Sequence, residues 1–339
     1  MVVPRTMLLP VLDTNALLSE ACGLVQRGMQ HGRIMDLAGT GRANPYIATH
    51  VPGELAEHLP KLAAHHKVPV DEVRVLLVNR ILPVVRQVEL EIRDHLAPQT
   101  RHVLHGTALG HPGDPDDAPT MALAEFLAPC VIVAKDNVFA RFGFAVIDWI
   151  PVTQDLLRMA GMEATAADAL VAIEIGLNIL GAGVSALASR ASRHPVLSTV
   201  VVTGVLWFCH KRGYLRGADW RDRATRMLEA AEPYVERTGA AIEEHTRLRD
   251  SLLVVDPPPY PTTEQLAARY LARCGQALTS GELRDALAGQ GHQVSAAALK
   301  RAMLAHGAFV RAPGDVWTVG RPAGQALASE IITSREAIG

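Results

Sequence analysis

Four acidic residues stand where a parallel α/β sheet would bring their side chains together. Asp13 and Asp136 each directly follow a short apolar run that is typical of a buried strand. Glu54 and Asp117 lie at the beginning of predicted helices. In open parallel sheets the strand ends and helix starts share one edge, where ligands and metals bind. The four carboxylates are therefore expected to meet at that edge.

Such a cluster has a defined chemistry. Four carboxylates without Lys or Arg partners repel one another at neutral pH. Hard divalent cations with oxygen ligands, most plausibly Mg²⁺ or Mn²⁺, neutralise clusters of this kind. One or two such ions can orient a water, lower its pKa and stabilise a pentavalent phosphoryl transition state. The pattern predicts metal-dependent hydrolysis of phosphodiester bonds.

Each acid alone also has a structural interpretation. Asp is a good helix N-cap, and Asp114, Asp116 and Asp117 fall in a turn rich in Gly and Pro. Glu54 could compensate the positive end of a helix dipole on a solvated face. Only the joint pattern favours a functional site.

The elements that would position these acids are predicted from the alternation of apolar runs and helical stretches over residues 1–150. Strands are predicted at 7–12, 46–48, 131–134 and 144–147, and a long helical region at 70–97. This order predicts a parallel sheet with helices on both faces. The segment 60–112 is rich in histidine, and those side chains could contact phosphates or simply be solvated.

Residues 7–150 resemble a PIN domain, the nuclease fold shared by bacterial VapC-type toxins and many RNA-processing enzymes. The resemblance lies in L-D-T-N ending at Asn15, P-G-E-L around Glu54, D-P-D-D-A-P-x-x-A-L-A from Asp114, and K-D-N-V-F around Asp136. It implies a metal-dependent nuclease that usually acts on RNA. The resemblance implies a nuclease domain over residues 1–160, and the chain continues far beyond the length of a VapC-type toxin.

Site residues follow from the resemblance by position. The acids that would bind Mg²⁺ or Mn²⁺ and carry catalysis are Asp13, Glu54, Asp117 and Asp136. Asn15 would support the first acid, and Asp114 matches an extra acid found in one branch of the family. Asp116 would be a supporting residue.

These observations favour an endoribonuclease with a toxin-like, RNA-processing or defence role. RNA is the expected substrate, an antitoxin or other protein is a candidate partner, and family precedent favours a homodimer. The alternative is a non-catalytic scaffold or a nucleic-acid-binding regulator built on the same fold.

Residues 161–255 are predicted to be helical and contain two apolar runs, at 169–188 and 196–209. The runs could form a membrane hairpin that anchors the chain to the cytoplasmic face. However, the second run is shorter than the roughly 20 residues that span a bilayer, and Glu174 would be costly inside it. A buried helical hairpin for packing or self-association is the alternative.

A Pro-rich linker, D-P-P-P-Y-P, begins at Asp256 and predicts a domain boundary. Residues 260–322 show three helical patterns and a hairpin, which resembles a winged helix-turn-helix domain, and 323–339 form a tail. The residues from Thr279 to Glu282 are typical of a capping box that opens the second helix. Lys300, Arg301 and Arg311 are its candidate nucleic-acid contacts. Domains of this type also dock proteins.

Composition limits the remaining classes. The chain has 339 residues, of which 49% are hydrophobic and 20% charged, so it is not a disordered protein. Its net charge of -2 provides no global basic field for nucleic acid. Four dispersed cysteines without a C-x-x-C pair, and the lack of a secretion signal, favour the cytoplasm.

Overall fold

A computed structural model describes residues 9–91, 97–107, 110–163 and 243–324. Residues 1–160 and 252–339 form one compact unit, and residues 161–251 form a second. The predicted apolar runs at 169–188 and 196–209 lie outside the described residues. Within the described ranges, no helix is both long and apolar enough to cross a membrane.

The main sheet of the first unit has six strands, of which the inner four run parallel. In spatial order the strands are β5 (Val254–Val255), β4 (Cys130–Val133), β1 (Leu9–Leu12), β2 (Tyr46–Ala48), β3 (Arg86–Val88) and β9 (Arg321–Pro322). The two edge strands pair antiparallel with their neighbours. All residues of β1 and β4 are buried, as expected for parallel strands covered on both faces.

Helices flank this sheet, so the predicted α/β class is confirmed. Those of the N-terminal part are α1 (Thr14–Gln26), α2 (Arg33–Gly39), α3 (Val51–His66), α4 (Val70–Leu76), α5 (Pro98–His105), α6 (Ala118–Leu127) and α7 (Asn137–Arg141). Helical residues also cover 149–163 and 243–251. α6 packs across β4, β1 and β2, which places its N-terminus near the sheet edge that carries the acids.

Two predicted elements were wrong. The α-helix expected over 70–97 ends at Leu76. A π-helical turn and a 3₁₀ turn follow it, and the chain then enters β3. Pro83 lies in the 3₁₀ turn, and its ring cannot continue a regular helix. The strand expected at 144–147 is a series of bends, with Val146 and Ile147 largely exposed.

The C-terminal part contains the predicted three helices and hairpin. Its elements are α8 (Thr263–Cys274), β6 (Leu278–Thr279), α9 (Ser280–Gly289), α10 (Ala296–Ala305), β7 (Phe309–Ala312) and β8 (Val316–Val319). β6, β8 and β7 form a small antiparallel sheet. The predicted capping box of α9 is present, because Thr279 and Glu282 exchange side-chain and backbone hydrogen bonds.

The C-terminal elements share a core with the main sheet. The chain passes from β8 into β9 through Gly320, whose φ of +63° and close approach to the Gln87 carbonyl exclude any side chain. The Arg86 guanidinium donates to the carbonyls of Val319 (2.7 Å) and Gly320 (2.6 Å). Residues 1–160 and 260–322, which the sequence suggested as separate domains, therefore lie in one unit.

Candidate metal centre

Asp13 and Asp136 lie at the carboxyl ends of the adjacent strands β1 and β4. The Asp13 N–H donates to the Val133 carbonyl at 3.0 Å, which fixes the two strand ends side by side. Each acid also caps the helix that follows it: Asp13 accepts from the Asn15 N–H (3.2 Å), and Asp136 accepts from the Val138 N–H (2.8 Å). The structural interpretation of these acids is therefore true, and it leaves further carboxylate lone pairs for a ligand.

Asn15 connects the two strand-end acids. Its backbone N–H binds Asp13, and its side-chain Nδ2 lies 3.5 Å from Asp136 Oδ2. Asn15 was expected to support the first acid, and the structure places its side chain beside Asp136 instead. One residue thus orients two carboxylates from opposite ends of the N-terminal sequence.

Glu54 reaches the same edge from the first turn of α3. The Thr14 hydroxyl donates a short hydrogen bond to Glu54 Oε2, so a neighbour of Asp13 holds this third acid. His50 Nε2 lies 3.8 Å from Glu54 Oε1. Glu54 is half-buried.

Asp117 completes the cluster from the start of α6. Its side chain makes no capping hydrogen bond, although it precedes the helix. Burial raises its pKa to about 8, and so does repulsion from Asp13, Asp136, Asp114 and Glu54. That repulsion places Asp117 near all four of the other acids.

Asp13 experiences the same environment. It is 2% exposed. Burial raises its pKa to about 7, with smaller contributions from Glu54 and Asp136, despite the opposing hydrogen bond from Asn15. The negative charge of this cluster is therefore poorly compensated by the protein.

Asp114 and Asp116 lie at the rim of the cluster. Asp114 Oδ1 accepts from the Asp116 N–H at 3.1 Å, so part of the role of Asp114 is to order the turn before α6. Its charge acts on Asp117, whereas the charge of the exposed Asp116 acts on His50.

His50 is a candidate site residue that the sequence did not reveal. It is half-buried, and neither ring nitrogen has a hydrogen-bond partner among the described residues. Burial lowers its pKa, while Glu54 and Asp116 oppose that shift. The available signal was the four-residue spacing between His50 and Glu54, which places both side chains on one side of α3.

The donor set fits a hard divalent cation in chemical type, since every acid presents oxygen and the cluster is short of positive charge. In the conformation described, no three acid, His or Cys side chains within the described ranges are arranged to hold an ion. Metal binding would require the carboxylates to turn towards a common point.

The three basic residues predicted to contact nucleic acid lie in the C-terminal part. Lys300 and Arg311 both pair with Asp315 Oδ1, at 3.1 and 3.2 Å, and Arg311 also lies over the Trp317 ring. Arg301 is exposed. Two of the three cations are therefore already compensated at the hairpin turn, which weakens their case as phosphate ligands.

No family model, curated protein or solved structure matches this chain. Function is therefore inferred from the acid cluster and its surroundings. The cluster unites Asp13, Glu54, Asp117 and Asp136, the four acids singled out in the sequence, and adds His50 and Thr14 beside them.

Proposed function

We propose that this chain is a Mg²⁺- or Mn²⁺-dependent nuclease of the PIN type, acting on RNA in preference to DNA. The observation that supports this most directly is the set of acids from distant segments that meet at one sheet edge. Burial, together with repulsion between the acids, raises the pKa of Asp13 to about 7 and that of Asp117 to about 8. A bound divalent cation would relieve this repulsion.

Asp13, Glu54, Asp117 and Asp136 would hold the ion. When bound, the ion would supply Lewis-acid polarisation of a phosphate and a water of lowered pKa. The Thr14 hydroxyl would orient Glu54, and the Asn15 amide would orient Asp136. The unpartnered ring nitrogens of His50 could hydrogen-bond a phosphate oxygen or a water beside Glu54.

The C-terminal helices and hairpin support a winged-helix assignment with a structural role. Lys300 and Arg311 are paired with Asp315, and α8 packs on α6, which begins at Asp117. A non-catalytic scaffold remains the second candidate, and direct assay separates the two.

The test is cleavage of a labelled single-stranded RNA by the full chain in Mn²⁺. Asp13→Asn and Asp136→Asn should each reduce the cleavage rate by at least about 100-fold, because each removes a charged metal ligand. Asp71→Asn is the matched control, since among the described residues that exposed carboxylate pairs with Arg74 on the surface of α4 and should be dispensable.

Thermal stabilisation by Mn²⁺ provides a second readout. The wild-type melting temperature should rise with Mn²⁺ concentration, and Asp13→Asn should lose most of that rise. A site variant that cuts RNA as fast as the wild type would refute the assignment. A wild-type chain that neither cuts nor gains stability in Mn²⁺ would favour the scaffold.

A further inference from the structure

We propose that a basic rim beside the acid cluster binds the phosphate backbone of a single-stranded nucleic acid. The rim consists of His58, Lys61, His65, His66 and Lys135. It rests on the proposed function, because it would hold the substrate strand next to the acids.

The first part of the rim follows from the periodicity of α3. Positions 54, 58, 61 and 65 recur at helical spacing, so Glu54 and the three basic side chains lie along one stripe. Buried Leu55, Leu59 and Ala63 occupy another face. The stripe therefore extends from the acid cluster along the helix, with its basic side chains exposed.

Lys135 adds a second lysine to the rim, next to the acid cluster. It is exposed and directly precedes Asp136. The ring centroids of His65 and His66 are 5.3 Å apart, and burial, His65 and Lys135 together lower the pKa of His66. The lowered pKa leaves His66 as a neutral imidazole near pH 7, which can hydrogen-bond a phosphate oxygen, so the positive charge at this end of the rim comes from Lys135.

The dimensions of the rim suit an extended strand. His66 lies twelve positions after Glu54, which corresponds to about 18 Å along the helix axis. A strand of a few nucleotides could contact Lys61 and Lys135 while one phosphate lies at the acids. Glu57 is also exposed on α3, so the rim is not uniformly positive.

A local cationic surface is physically required by the rest of the site. The acids repel a polyanion, and the chain as a whole carries a net charge of -2. Backbone phosphates near the acids therefore need compensation by cations such as Lys61 and Lys135, and the rim histidines can add hydrogen bonds. Such contacts are insensitive to sequence and serve RNA and single-stranded DNA alike.

The test measures binding apart from cleavage. The full chain carrying Asp13→Asn is titrated in Mn²⁺ against fluorescein-labelled single-stranded RNA, and against DNA of the same sequence, with anisotropy as the readout. Adding Lys61→Gln and Lys135→Gln should weaken binding of both strands at least about 10-fold. The slope of log Kd against log salt should also fall by about 1.4, since each phosphate contact contributes about 0.7.

The matched control replaces half-buried Arg74 and exposed Arg158, each of which pairs with an acid one turn earlier in its own helical segment, away from α3. Arg74→Gln with Arg158→Gln removes the same total charge and should leave the salt slope unchanged. The proposal of a basic rim is wrong if the control pair weakens binding as much as the rim pair. It is also wrong if the rim pair has no effect, or if neither strand binds.

The outcomes also separate the rim from the nuclease. Binding that depends on Lys61 and Lys135 in a chain without cleavage activity would support the rim and reject only the reaction. Wild-type cleavage with binding indifferent to both lysines would reject only the rim.

Discussion

Burial and the neighbouring acids oppose the ionisation of two carboxylates in the acid cluster, Asp13 and Asp117. The pKa of Asp13 rises from 3.8 to about 7 and that of Asp117 to about 8. The folded chain therefore retains protons that the unfolded chain releases between about pH 4 and pH 8. Because the folded state binds more protons in this window, the stability of the metal-free protein falls as pH rises through it.

Replacing Asp117 by Asn should consequently stabilise the metal-free protein at pH 8. The neutral amide removes repulsion from four neighbouring acids, and we expect a melting temperature roughly 2–6 °C above that of the wild type. The gain should shrink towards pH 4, where Asp117 is protonated in the folded state and only partly ionised in the unfolded chain. Calorimetry in EDTA across pH 4–8 measures it, and a variant that melts lower than wild type at pH 8 would contradict it.

Residue positions were predictable where a local pattern fixes them. Asp13 and Asp136 follow apolar strands, and any parallel sheet brings adjacent strand ends together. His50 was not predictable in this way. Its place beside Glu54 depends on α3 beginning at Val51 directly after the short link from β2, and that link has no periodic signal.

Among the elements, α6 connects the acid cluster to the C-terminal part. It begins after Asp117, and two arginines of α8 bind its other end. Arg269 donates to the carbonyls of Glu125 (3.0 Å) and Phe126 (3.2 Å). Arg273 donates to the carbonyls of Leu127 (3.0 Å) and Pro129 (2.6 Å). The two arginines therefore donate to carbonyls that lack partners within the helix, and their charge complements the negative end of the α6 dipole.

α6 also organises α5 through a buried carboxylate. Glu125 accepts from the backbone N–H groups of Gln99 (3.2 Å) and Thr100 (3.0 Å), and from the Thr100 hydroxyl. Those N–H groups belong to the first turn of α5, where a helix has no internal acceptors. α6 is thus fixed at its end by α8 and fixes the start of α5.

Arg273→Ala should therefore destabilise the first unit by about 2–4 kcal/mol, because it removes charged hydrogen bonds and leaves buried carbonyls without donors. The free energy of unfolding in urea measures the loss. Arg284→Ala serves as the control, since Arg284 is exposed and pairs with neighbouring Asp285, and it should change stability by less than about 0.5 kcal/mol. A loss of the same size in both variants would show that the α6 carbonyls do not need Arg273.

Helices and strands were predictable where interactions between residues close in sequence determine them, and not where partners distant in sequence do. The Thr279–Glu282 capping box identified the start of α9 from four residues. The stretch after Leu76 is helical in its apolar pattern, yet it becomes a π-helical turn and then β3. Pairing of β3 with β2 outweighs local helical preference there, and no window of sequence contains that partner.

For the whole molecule, the main sheet is assembled from both ends of the chain. β5 and β9 are two residues each, too short to produce an alternating pattern, and both pair with strands more than one hundred residues away. The boundary expected at the Asp256 linker lies four residues beyond Leu252, where the second segment of this unit begins. The segments before and after residues 161–251, expected as separate domains, belong to one unit. His306 stacks on Phe126 at 4.9 Å, which illustrates how the two parts share their core.

The first unit is thus discontinuous, with residues 161–251 inserted between its two segments. Because every described strand of its sheet and every residue of its described core cluster lies in these two segments, we expect a chain in which a flexible Gly/Ser linker of about 20 residues replaces 161–251 to fold cooperatively. A flexible closure of this length adds little entropic cost. The measurement is a single urea transition seen by both near- and far-ultraviolet circular dichroism.

Residues 1–160 alone provide the opposing case. Without α8, β5 and β9, the carbonyl end of α6 and both sheet edges lose their partners, so this fragment should aggregate or unfold without a sharp transition. If the fragment folds cooperatively and is as stable as the linked chain, the C-terminal part does not contribute to the stability of the sheet. Failure of the linked chain itself would show that 161–251 contributes to the core.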